Sequence, residues 1–101
     1  MYRATTPTHR FTFPADVVSL VEKVKVTYGQ KNEVLFELDE NDLTWNGNVA
    51  SVTLTQEQAN RFSNKKVGQV QLRVLTTGED VLASEIFEFD VEFVLDDEVM
   101  S

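Results

Sequence analysis

Val24-Lys25-Val26-Thr27-Tyr28-Gly29 is the stretch that decides the fold class. Its apolar side chains fall on every second position, with Lys25 and Thr27 between them. A period of two sends successive side chains to opposite faces of a strand, whereas a helix would repeat its apolar face every three to four residues. Gly29 is read as the end of this strand. The same alternation recurs on both sides of it. Phe11 and Phe13, with His9 on the same parity, alternate with Thr8, Arg10 and Thr12 until Pro14 stops the run. Val34, Phe36 and Leu38 alternate with Leu35, Glu37 and Asp39. Further on, Ala50, Val52 and Leu54 form one apolar face and Val70, Leu72 and Val74 another. Phe87, Phe89, Val91, Phe93 and Leu95 line the inner face of a long last strand, with Glu88, Asp90 and Glu92 outward.

The connections carry turn chemistry. Asp16, just after Pro14, is read as the cap of a short turn through Val17-Val18-Ser19-Leu20. Leu43-Thr44-Trp45 runs into Asn46-Gly47, the dipeptide that best tolerates the two positive φ angles of a type I′ hairpin turn. Thr55-Gln56-Glu57-Gln58 has capping-box spacing, so a helix of one to two turns is expected through Ala59 and Phe62. Thr77-Gly78-Glu79-Asp80 reads as a turn.

About seven short strands with one helix before the penultimate strand indicate an all-β fold, an immunoglobulin-like antiparallel β-sandwich, without its inter-sheet disulfide. Residues 1–101 form one domain, with 1–6 as a flexible arm and 96–101 as a frayed acidic tail. Strand parity places Phe11, Phe13, Val24, Val26, Phe36, Val52, Leu54, Leu72, Val74, Phe89 and Val91 in the core.

Composition narrows the function. The net charge is −8, and no Lys or Arg follows Arg73. That balance disfavours nucleic acid, whose phosphates need a basic surface. The absence of Cys removes disulfides, thiolate metal sites and cysteine nucleophiles, and favours synthesis in a reducing compartment. No stretch reads as a signal peptide or reaches the roughly 20 apolar residues of a membrane span, so neither membrane insertion nor export is expected.

Catalytic groupings are not found. His9 is the sole histidine, and nothing near it in sequence supplies a nucleophile or an orienting partner, so a half-buried rim residue is expected. Asp39, Glu40 and Asp42 are the oxygen-rich candidates for a cation, but the spacing fails the calcium-loop pattern at Leu43 and Thr44. The reading is therefore a non-enzyme with no cofactor. The interaction candidates are Glu88, Asp90 and Glu92 on the last strand, Tyr2 and Arg3 in the arm, and Trp45. An alternative is a carbohydrate- or surface-binding module in which Trp45 and Tyr28 form an aromatic platform.

Several ordered motifs carry a resemblance over nearly the whole chain. They are Met1-Tyr2-Arg3-Ala4-Thr5-Thr6-Pro7-Thr8, Pro14-Ala15-Asp16, Val24-Lys25-Val26-Thr27-Tyr28-Gly29-Gln30, Leu54-Thr55-Gln56-Glu57-Gln58, Gln71-Leu72-Arg73-Val74-Leu75-Thr76-Thr77, Leu82-Ala83-Ser84 and Leu95-Asp96-Asp97-Glu98-Val99. Together they resemble short proteins from prophages of Gram-positive (Firmicute) bacteria. More loosely, the chain is similar to the N-terminal Ig-like domain of phage baseplate upper proteins. The resemblance implies a virion structural or adaptor protein of the tail or baseplate, made in the bacterial cytoplasm and carried in the virion once assembled. Its implied partners are other virion or tail proteins, with weak self-association at most. A baseplate protein continues into coiled-coil and receptor-facing parts that have no counterpart here.

Overall fold

A computed structural model of the chain describes residues 1–63, 66–92 and 100. Among these, eight strands form: β1 (Thr8–Thr12), β2 (Val21–Gln30), β3 (Glu33–Asp39), β4 (Thr44–Asn46), β5 (Val49–Thr53), β6 (Val67–Thr76), β7 (Val81–Ala83) and β8 (Phe87–Asp90). Two one-turn helices, α1 (Ala15–Val18) and α2 (Gln56–Ala59), and a 3-10 turn at Glu40–Asp42 complete the element list. One antiparallel sheet has the order β1-β5-β4. The other runs β3-β2-β6, with β7 and β8 both on the far side of β6. The first sheet thus has the B-E-D order of an immunoglobulin-like sandwich, and the second the C′-C-F-G order, with β7 and β8 sharing the G position.

Parity holds for the predicted core residues, while Val34, read on the apolar face with Phe36 and Leu38, is exposed where the β2–β3 register shifts. Phe13, Val24, Val26, Val52, Leu54, Leu72, Val74 and Val91 are buried, and Phe11, Phe36 and Phe89 pack partly buried against them. Tyr28, Phe62, Val70, Leu43, Ala50 and Ala59 join the core. Aromatic packing centred on Tyr28 anchors one part of this core. Tyr28 stacks on Phe36 at 5.1 Å and meets the edges of Phe62 and Phe89 at 6.1 and 6.2 Å. Offset and edge-on contacts suit the ring quadrupoles and add about 0.5–1.5 kcal/mol each beyond area burial.

The turns depart from expectation in an instructive way. Gly29 does not end its strand: β2 continues through Gln30, and the register shifts between Tyr28 and Gly29. A Cβ on Gly29 would fall on the Glu33 carbonyl, so the close approach at this bulge requires glycine. The paired positive φ angles of a type I′ turn occur at Lys31 (51°) and Asn32 (62°), not at Asn46-Gly47. Asn32 is held there by Gln69, whose Oε1 accepts the Asn32 N–H at 2.9 Å and whose Nε2 donates to Asn32 Oδ1. At the second hairpin Asn46 pairs with Val49, so Gly47 and Asn48 are the central residues. Only Gly47 has positive φ there, the pattern of a type II′ turn.

Capping divides similarly. The Thr55 box forms as expected: Thr55 Oγ1 accepts from the Gln58 N–H and Gln58 Oε1 accepts from the Thr55 N–H. The helix proper is one turn, extended through Phe62 by backbone bonds from Arg61 and Phe62 to Gln58 and Ala59. Asp16 is not a cap. Pro14 holds the cap position of α1 without a side-chain bond, and Asp16 lies in the first turn, where its charge suits the helix dipole.

A strand not expected from the sequence, β7, precedes the last one. Ser84 pairs with Leu72 through its N–H and its Oγ, and Phe87 pairs with Val70. Glu85 and Ile86 therefore stand opposite Gln71 alone, a β-bulge that separates β7 from β8 and turns the reading of seven strands into eight. Phe93 and Leu95 lie outside the described residues. So does the 96–101 tail, apart from Met100, whose backbone bonds both ways to the Gln56 amide.

Residues 1–6, expected to be flexible, are tied down. Tyr2 forms a parallel bridge to Glu92, and Arg3 N–H donates to the Glu92 carbonyl at 3.0 Å. The Met1 ammonium donates to the Asp90 carbonyl at 2.7 Å, and Ala4 N–H to Asn60 Oδ1 at 2.7 Å. Ala4 takes the left-handed conformation (φ 58°) as the chain leaves one sheet edge for the other. Among the described residues, no helix is long and apolar enough to cross a membrane.

Candidate functional site

The two sheets are joined closely at one end and open at the other. At the closed end His9, on β1, faces Tyr28 on β2, with Nδ1 2.6 Å from Oη, and the His9 ring lies 5.0 Å from that of Phe89. Burial lowers the His9 pKa, helped by the nearby Met1 ammonium, and burial alone raises that of Tyr28. Both groups are therefore neutral near pH 7, and either tautomer of the imidazole makes the bond. His9 has the half-buried setting its parity implies.

From His9 and Phe89 a cleft of about 740 Å³ extends between β1 and the β7–β8 edge. Phe11, Phe13, Val74, Leu82 and Phe87 line it. Phe11 and Phe87 approach across it to 6.5 Å between ring centroids. On this edge Leu82 and Phe87, 45 and 47% exposed, line the cleft, whereas the exposed Val81 and Ile86 line separate hollows of the second sheet. Phe87 faces the inner side as its parity requires, but among the described residues no strand covers it. The bulge explains the exposure, because Ile86 and Glu85 bow out of the ladder beside it. Alternation alone could not reveal the cleft, since it reports which face a side chain takes and not whether a second layer reaches it.

The backbone of the cleft wall is equally open. Phe13 N–H donates to the Asn48 carbonyl and Leu54 N–H to the Pro7 carbonyl, so odd-numbered β1 residues bond to β5. In an antiparallel ladder the intervening residues turn their N–H and C=O the other way. Those of Thr8, Arg10 and Thr12 consequently point to the open side of β1, where no strand pairs among the described residues.

The remaining candidates are dispersed. Glu88 and Asp90 are exposed on β8, and Glu92 is exposed beside them, so the acidic edge exists as a row. Tyr2 is exposed next to Glu92, whereas Arg3 is half-buried and donates from Nη2 to the Asn60 carbonyl. Trp45 packs on Phe13 at 5.0 Å and stays 36% exposed. Tyr28 is fully buried and bonded to His9, so it forms no aromatic platform with Trp45. That removes half of the sugar-binding pair: parity placed Tyr28 on the same face as Val24 and Val26, which is the core face.

Asp39 and Asp42 each accept a backbone N–H in the capping box of the 3-10 turn, from Asn41 and Asp39 respectively. Glu40 accepts weakly from Val24 N–H at 3.4 Å. Their carboxylates serve local backbone donors, and among the described residues no three acidic or imidazole groups gather around one point.

Comparison of the chain with protein families, with curated proteins and with solved structures gives no match.

Proposed function

We propose that this chain is a non-enzymatic docking module, a structural or adaptor protein of a phage or prophage tail or baseplate that works by binding other virion proteins. The observation that carries the docking part is the open apolar cleft, with Leu82 and Phe87 exposed on one wall and half-buried Phe11 on the other. Contiguous exposed apolar surface rimmed by charge marks interaction sites on soluble domains. The assignment to a virion rests on the sequence motifs described above. The acidic rim supports a basic partner and a salt-sensitive encounter.

The test is to mix the purified chain with the tail proteins encoded beside it and follow co-elution at low and high salt. Co-elution that weakens with salt is the expected outcome. Failure to bind any of them at low salt overturns the reading.

A further inference from the structure

We propose that the cleft between β1 and the β7–β8 edge receives one extended segment of a partner protein, added as a strand alongside β1, with apolar side chains inward and a net positive charge. The inference deepens the docking function proposed above and rests on it.

Three independent features define the occupant. The first is backbone. Thr8, Arg10 and Thr12 present alternate N–H and C=O groups over a straight five-residue edge, which is the requirement for strand addition. The β7–β8 edge is the poorer template, because the bulge at Glu85–Ile86 breaks it and Met1–Arg3 already occupies its end at Asp90–Glu92. The second is side-chain pattern. A strand beside β1 would direct every second side chain at Phe11, Leu82 and Phe87, so those positions should be apolar. The third is charge. The whole chain carries −8, and Glu85, Glu88 and Asp90 are exposed on the β7–β8 edge, so the long-range field on this side attracts a cationic segment. Outward side chains of the segment would lie beside Thr8, Arg10 and Thr12 on the outer face of the first sheet, so its lysines or arginines should flank the position opposite Arg10. A second copy of this chain's β1 fits badly, because a symmetric pairing centred on Arg10 would set it against itself.

The probe is a fluorescein-labelled nonapeptide alternating lysine and valine, with threonine in place of the central lysine, titrated by anisotropy into the full chain at 50 mM salt. Saturable binding is expected, weakened at least tenfold at 500 mM salt because surface charge is screened. N-methylation of alternate peptide amides should also weaken it at least tenfold, since that removes the donors a strand needs and leaves the side chains in place. Thr12→Pro, which removes an outward N–H without breaking a bond to β5, and Phe87→Glu should each do the same. Absence of saturable binding, or binding indifferent to N-methylation, overturns strand addition; the latter would make the cleft an apolar ligand pocket only. If the tail partner still co-elutes with both variants, docking stands and the cleft inference falls. If the peptide binds as stated and no tail protein co-elutes, strand addition stands and the virion reading falls.

Discussion

His9 on β1 and Tyr28 on β2 hydrogen-bond across the two sheets at 2.6 Å, and this contact is a polar tie inside an otherwise apolar closed end. Replacing Tyr28 by Phe keeps the ring packing against Phe36, Phe62 and Phe89 but leaves the His9 Nδ1 without its partner. A loss of about 1–3 kcal/mol in urea denaturation is expected, the cost of stranding a part-buried polar group. Tyr28→Ala should cost about 3–5 kcal/mol, because it also opens a cavity.

The same pair makes stability depend on pH with a definite sign. The folded state holds the His9 pKa below its unfolded value of 6.5. Between the two values the unfolded chain binds the extra proton, so stability rises with pH across that window. The contribution is complete above about pH 6.5 and is lost as pH falls toward the folded pKa. His9→Gln should flatten this segment of a midpoint-against-pH curve. An unchanged slope in the variant would show that other groups set it.

The capping box at Thr55 closes both of its hydrogen bonds. Thr55→Ala should lower stability by about 0.5–2 kcal/mol. An unaltered denaturation midpoint would mean that Phe62, buried at the end of the same turn, fixes the segment without the cap.

Gly29 tests the bulge. A methyl group there meets the Glu33 carbonyl, which belongs to the backbone and cannot swing aside. Gly29→Ala should cost about 1–3 kcal/mol, the range for overpacking a fitted site. Gly47→Ala, where the added carbon meets nothing, should cost less, through its positive φ alone. Comparing the two midpoints checks the distinction.

Much of this fold was legible because strand parity is a local signal. Period-two runs from Phe11 to Val91 put most of their apolar residues on the core side, with Val34 and Phe87 the exposed exceptions. The turns were less legible. Asn46-Gly47 carries the favoured type I′ dipeptide, yet that geometry is found at Lys31-Asn32, where Gln69 from a distant strand supplies the hydrogen bonds. Asp16 lost the cap to Pro14 for a similar reason: local preference proposes, and the path of the chain between β1 and β2 decides. Of the site, the acidic residues of β8 could be read directly. The cleft could not, because it depends on a bulge at Glu85–Ile86 and on the absence, among the described residues, of a neighbour for β1.

Amide hydrogen exchange of the chain with and without the alternating lysine–valine peptide tests the central claim most directly. Strand addition at β1 should slow exchange at Thr8, Arg10 and Thr12, whose N–H groups face the open edge, and leave Phe11 and Phe13, already bonded toward β5, nearly unchanged. Protection confined instead to the outer edges at β3 or β4, or no residue-specific protection at a saturating peptide concentration, would contradict the account.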